Sequence, residues 1–258
     1  MNIIEIIVLI VAGIAVGFIN TLAGGATIIS LSVLMFLGLP LNVANGTHRI
    51  AAAFQTMTSV SAFKREKVLD VKKGIAFGIP TIIGSIIGAR IAIEINEAVF
   101  EKIVGVVMLL MIFLILYKPK YWLNPNVELM KKPVSILQII LFFILGLYGG
   151  FIYVGIGYFL LATIVLSAGY DLVKANAIKV LIVLMYVPFS LAVYIWGDMV
   201  NYEYGLILAV GQVVGAYIGA KTAVSKGAGF IRWIMIVFIL FSVSQIFGFI
   251  DIQNWFLK

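Results

Sequence analysis

Two short stretches of this chain carry residues that could hold a small ion, and they occupy matching places in its two halves. In the first, Asn20 precedes a glycine break, Gly24-Gly25, and Ala26 and Thr27 then open a short apolar run. A polar cluster, Asn45-Gly46-Thr47-His48-Arg49, begins the following segment. In the second, Gly155-Ile156-Gly157 precedes another short run, and Asn176 and Lys179 lie near the start of the segment after it. Glycines inside apolar sequence let one helix end and the next begin with unsatisfied backbone N–H groups. Such amides cannot face lipid, so they are buried in protein or line a wet cavity. A helix start in that setting presents donors and a partial positive charge, which suits an anion. The same glycines also fit a packing role, because small residues let helices approach closely in a bilayer.

The two polar clusters narrow the chemistry. Amides, a hydroxyl and a cation follow the short run, and neither cluster contains an acidic residue, which favours an anionic cargo over a metal cation. Arg49 and Lys179 also fit snorkelling to headgroups, and Asn45 and Asn176 also fit capping of the break that precedes them. His48 is the single histidine of the chain. It fits either an interfacial hydrogen-bonding residue or a proton carrier, since histidine ordinarily titrates near neutral pH. The candidate anion-binding set is therefore Gly24, Gly25, Ala26, Thr27, Asn45, Thr47, His48, Arg49, Gly155, Ile156, Gly157, Asn176 and Lys179. Asn20, Gln55 and Tyr186 are candidates to line the path. Pro188, two residues beyond Tyr186, is expected to break or bend its helix.

The elements that position these residues are membrane helices. Hydrophobic residues make up 63% of the 258 and charged ones 11%, with a mean hydropathy of +1.17, outside the balance of a soluble domain. Long apolar runs fall at roughly 3–22, 26–38, 43–63, 73–93, 98–117, 134–152, 156–168, 173–195, 203–223 and 230–250. The runs 26–38 and 156–168 give only about 20 Å of helix, too little to cross the hydrocarbon unaided. No basic region precedes the first run, which reads as a retained helix rather than a cleaved signal. There are no cysteines, so disulfides and thiol chemistry are excluded, and no cofactor or ATP-binding motif is present. The net charge of +7 sits in short loops beside apolar runs, where it sets topology and meets anionic lipid rather than nucleic acid.

Loop charge and an internal repeat then give an architecture. Lys64, Arg65, Lys67, Lys72 and Lys73 place one loop in the cytoplasm, and Lys118, Lys120, Lys131 and Lys132 place the long connector there. The loop with Glu94, Glu97 and Glu101 and the loop with Asp198 and Glu203 read as outside, as do both termini. Adding 131 to a residue number carries Gly24 onto Gly155, Ala44-Asn45 onto Ala175-Asn176, His48 onto Lys179, Gly84 onto Gly215 and Gly88-Ala89 onto Gly219-Ala220. Loops that correspond by this shift fall on opposite sides. The expected fold is an all-α polytopic membrane protein of two inverted-topology repeats, each a broken helical hairpin plus three transmembrane helices. The expected divisions are residues 1–117, a cytoplasmic connector 118–133, and residues 134–258.

The run from Gly17 to Ala26, Gly-Phe-Ile-Asn-Thr-Leu-Ala-Gly-Gly-Ala, followed by Gly38-Leu39-Pro40 and Ala44-Asn45-Gly46-Thr47, resembles the TauE/SafE family of sulfite-exporter-like transporters. The stretch Gly146 to Gly157 and the later Gly169-Tyr-Asp-Leu-Val-Lys-Ala-Asn-Ala resemble that family's second repeat. The resemblance covers nearly the whole chain. It implies movement of sulfite, organosulfonates or related small anions across the cytoplasmic membrane, usually outward. It maps the family's motif onto Gly24, Gly25, Gly46, Thr47, Gly155, Gly157 and Asn176. The chain departs from that pattern where Ala26 replaces a third glycine, where Ser30-Leu31 stand in a region that often holds a proline, and where His48 replaces a small hydroxyl residue.

The expected function is a secondary transporter of a small anion, working by alternating access, with proton or sodium as candidate coupling ions and homo-oligomerisation open. An uncoupled anion pore is the alternative. An intramembrane enzyme is disfavoured, since the acidic residues map to loops or span ends and the histidine has no evident nucleophile partner.

Overall fold

The computed structural model describes residues 1–95, 99 and 125–246, with side chains described to residue 238. The described residues form helices and no strand: α1 (Ile3–Leu22), α2 (Thr27–Phe36), α3 (Leu41–Arg65), α4 (Val71–Glu94), a single turn α5 (Val127–Lys131), α6 (Ile136–Phe151), α7 (Ile156–Ala168), α8 (Leu172–Trp196) and α9 (Tyr202–Ile246). Polar side chains start several of them. Asn2 and Glu5 form a capping box on α1, and Ser135 with Gln138 forms one on α6. Asp70 and Asp171 cap α4 and α8.

Length and composition suit α1, α4, α8 and residues Tyr202–Phe238 of α9 to crossing a membrane. At 25 residues α3 is as long as α8, yet it is far less apolar, because Asn45, Thr47, His48, Arg49, Gln55, Thr56 and Ser59 on it are all buried. Outward faces carry large apolar residues instead, such as Ile79, Ile83 and Ile87 on α4 and Leu206, Val210 and Val214 on α9. This inside-out distribution is that of a helix bundle in lipid, where polar groups turn inward to find partners.

Small residues set the closest helix contacts. Gly84 and Gly88 of α4 lie against the backbone of Phe143 and Leu147 on α6, and Gly215 and Gly219 of α9 lie against that of Ile14 and Phe18 on α1. These glycines act as packing residues. The pairings exchange under the 131-residue shift: α1 packs on α9 as α6 packs on α4, α3 packs on α9 as α8 packs on α4, and α3 and α8 meet each other.

Two helical stretches meet within α9 at Gly227, whose φ of 73° and ψ of −172° are non-helical, so the expected division between the runs 203–223 and 230–250 falls at this residue. The structure differs from the sequence reading at Pro188. Helix α8 continues through Pro188 to Trp196, so the proline does not end it. The run 98–117 and the connector basic residues Lys118 and Lys120 lie outside the described residues, apart from the isolated residue 99.

Candidate functional site

The two glycine breaks meet at the centre of the bundle. Gly24 (φ 91°) and Gly155 (φ 73°) adopt the left-handed conformation that glycine tolerates, and each lies in the turn between two helices. Gly24 rests on the backbone of Gly157: a Cβ on Gly24 would stand 2.6 Å from the Gly157 Cα, and one on Gly157 would stand 2.5 Å from the Gly24 Cα. Gly25 lies under the Tyr158 ring, which occupies the space a side chain would need. The first break is also tied from within. The Ala26 N–H donates to the Asn20 side-chain carbonyl at 2.8 Å, and the Asn20 amide donates to the Thr27 hydroxyl at 3.2 Å.

Each half clamps the break of the other. Asn45 on α3 donates to the Phe151 carbonyl at 3.0 Å and accepts from the Tyr153 N–H at 3.3 Å, so it bridges the end of α6. Asn176 on α8 donates to the carbonyls of Thr21, at 2.5 Å, and Leu22, at 2.9 Å, at the end of α1. The expectation that these asparagines cap the break preceding them is corrected. They cap the break of the opposite half, which their side chains reach from α3 and α8 where these two helices meet.

The two cations do the same. Arg49 donates to the carbonyls of Gly149 (3.0 Å) and Gly150 (2.7 Å) and to the Ser190 hydroxyl (2.9 Å), with its guanidinium 4.6 Å from the centre of the Tyr194 ring. Lys179 donates to the carbonyls of Asn20 (2.8 Å) and Thr21 (3.4 Å). Arg49 is fully buried and Lys179 is 2% exposed, so neither snorkels to a membrane surface. Among the described residues no Asp or Glu is buried, and the one ion pair, Arg90 with Glu94, is on the surface.

A cavity of about 20 Å³ lies against the contact between the breaks, lined by Asn20, Gly24, Gln55, Thr56, Tyr153, Ile156, Gly157 and Lys179 among others. That is room for about one water molecule. Beside it the carbonyl of Gln55 and the hydroxyl of Tyr186 are buried without a partner. His48, the residue before Arg49 on α3, is also buried. Its Nδ1 lies 2.8 Å from the Ser30 hydroxyl, its ring meets Tyr153 edge-on, and its Nε2 has no partner. Thr47 stands apart from this group, accepting from the Asn201 N–H at 2.9 Å in the turn between α8 and α9.

The sequence profile of the family described as "Sulfite exporter TauE/SafE" matches residues 9–246. The chain belongs to the TauE/SafE family. It is 24% identical over 250 residues to a probable membrane transporter protein of Haemophilus influenzae, covering 96% of each chain. It is 28% identical over 224 residues to the probable membrane transporter protein YfcA of Escherichia coli, covering 86% of this chain and 81% of that one. With the probable membrane transporter protein YunE of Bacillus subtilis it shares 25% identity over 239 residues, covering 83% and 87%. No solved structure matches. This TauE/SafE member is thus a multi-pass membrane protein of a transporter family.

The sequence reading missed Tyr153, Tyr158, Tyr194, Ser30, Ser190 and Gln212 as neighbours of the site. Tyr153 and Tyr158 flank the second break, and Gln212 is an amide inside an apolar run, so each left a signal in the sequence. Ser190 and Tyr194 left none. They matter only because α8 brings them against Arg49.

Proposed function

We propose that this TauE/SafE member moves a small anion across the cytoplasmic membrane, outward, by alternating access between two inverted repeats. The cargo class is sulfite, an organosulfonate or a related sulfur-containing or carboxylate anion. One observation carries the reading: at each break a buried cation rests on the end of the outgoing helix. A break sets the negative end of one helix beside the positive end of the next, and these partial charges of roughly half an electron oppose each other. Lys179, from α8, offsets the negative end of α1 and Arg49, from α3, that of α6, which leaves the starts of α2 and α7 as uncompensated positive poles. Burying such charge without a counterion costs several kcal/mol per ion, and the described interior supplies no carboxylate to relieve it. An anion between the breaks would.

The transport cycle follows from the same contacts. At about 20 Å³ the cavity is too small for a sulfonate, so the described conformation is a closed one and the breaks must part to admit cargo. Their only covalent ties are to their own halves, and each is clamped by the other half through Asn45 and Arg49 or Asn176 and Lys179. Rocking one half against the other would load and release these clamps in turn. The turn 66–70, residues 125–132 and the turn 169–171 touch through Tyr170–Asp70, Asn126–Gly169 and Lys73–Lys132 hydrogen bonds, which supports assigning all three to the cytoplasmic side. Burial and the bond to Asp70 push the Tyr170 phenol up, so this tie persists throughout the physiological range.

The test is direct. Purified protein screened by thermal shift against sulfite, thiosulfate, sulfoacetate, taurine and simple carboxylates should show saturable stabilisation by one anion class. Proteoliposome flux of that anion should show countertransport. Stabilisation by none of them, or flux without countertransport, would discard the carrier reading in favour of another cargo or an uncoupled pore.

A further inference from the structure

In transporters built from broken helices, anionic groups are met by helix starts, while helix ends and free carbonyls hold the coupling cation. Here the helix end of α1 is already filled, and by the protein itself. The Lys179 ammonium lies 2.8 Å from the Asn20 carbonyl and 3.4 Å from the Thr21 carbonyl. No carboxylate partners it among the described residues. A second, independent feature points to a ligand at the same place. The Gln55 side-chain carbonyl is buried without a donor, and Gln55 and Lys179 line the same cavity. The Asn20 and Thr21 carbonyls hold the ammonium, and the Gln55 carbonyl and Thr56 hydroxyl line the same cavity, so the neutral oxygens here are of the kind that coordinates a hard monovalent cation.

We propose that Lys179 is a tethered counter-cation, its ammonium filling a carbonyl cradle that would otherwise take a monovalent metal cation such as sodium. The consequence is a statement about coupling. The wild-type protein has no vacancy for sodium at the end of α1, and removing the ammonium creates one. The second cradle, at the end of α6, is filled by Arg49, whose fork reaches two carbonyls and the Ser190 hydroxyl at once. The inference deepens the transport reading of the same site. It is tested here without any candidate cargo, so that its failure and the failure of the anion reading can be told apart.

The experiment compares wild-type protein with Lys179→Ala, Lys179→Met and Lys179→Arg in detergent. Each is melted in sodium, potassium, methylammonium or choline gluconate at one ionic strength. The cradle predicts that sodium or methylammonium raises the melting temperature of Lys179→Ala saturably, by about 3–6 °C at tenfold excess over the dissociation constant, relative to choline. Wild type should melt alike in all four salts. Lys179→Met, whose neutral stem keeps the space filled, should also show no cation preference. Equal melting of Lys179→Ala in every salt would overturn the proposal, as would a sodium-specific shift in wild type. If Lys179→Ala does not fold, sodium-22 binding to wild type and to Lys179→Met decides instead. Saturable binding to wild type refutes the tethered cation. Binding to neither, together with recovery of folded Lys179→Ala only when it is extracted in sodium or methylammonium, supports it.

Discussion

At the first break a lysine reaches the carbonyls of Asn20 and Thr21, whereas at the second an arginine spans those of Gly149 and Gly150 and adds the Ser190 hydroxyl. An asparagine one turn away completes each clamp, Asn176 on the first break and Asn45 on the second. The asparagines correspond under the 131-residue shift, but the cations do not: the shift pairs Lys179 with His48, not with Arg49. The same electrostatic task is therefore done from adjacent positions, by a point charge in one half and a planar fork in the other. The difference frees His48, whose Nε2 has no partner, from any part in holding a helix end. Near-symmetry in the fold thus leaves room for asymmetry in the chemistry.

The contact between the breaks offers the harshest way to disturb both sides at once. Gly24→Val puts a branched side chain at positive φ and against the Gly157 backbone, and should cost about 2–5 kcal/mol while abolishing transport. Gly157→Val should do the same, read as anion flux and as loss of thermal stability. If either variant transports normally, the breaks are spacers and not a site.

The cations come next. Arg49→Met leaves the Gly149 carbonyl without its side-chain donor and the Gly150 carbonyl with only the Tyr194 hydroxyl at 3.4 Å, and should cost about 2–4 kcal/mol, with Arg49→Lys recovering only part, because a point charge does not reproduce the planar fork that spans both carbonyls and Ser190. Full recovery by lysine would mean that the two halves differ in name only. Asn45→Ala and Asn176→Ala should each cost about 1–3 kcal/mol and should be closely matched, since both remove a side-chain amide from a helix end. A large imbalance in their melting temperatures would argue that one half carries the fold and the other the function.

The smallest expected effect on stability is the most informative about the site. Tyr186→Phe removes a buried hydroxyl that has no partner, so the folded state should change by less than about 1 kcal/mol or gain stability. Transport should nevertheless fall if that hydroxyl meets the cargo when the breaks part. Unchanged flux in Tyr186→Phe would remove Tyr186 from the path.

Much of the fold was legible in the sequence because its causes are local. Apolar length marks the spans, and Gly24 and Gly155 mark the breaks, since few residues other than glycine turn the chain at positive φ. The short run 156–168 coincides with α7, Ile156–Ala168. The division between the runs 203–223 and 230–250 was legible too, since Gly227 holds a positive φ that interrupts the helical path there. The polar residues near the breaks were also visible as residues out of place in apolar sequence. What each one holds was not, since every partner of Asn45, Arg49, Asn176 and Lys179 named above lies about a hundred residues or more away.

Composition and spacing by themselves determined that the chain is a helical membrane protein, twice interrupted by glycine before a polar cluster. Only the tertiary structure decided that the interruptions touch, that each half clamps the other, and that the cations sit on helix ends instead of reaching for the membrane surface. The physical reason is that a helix break is a local property of the backbone. The partner that satisfies its orphaned carbonyls is chosen by whichever buried donor the packed bundle brings within about 3 Å.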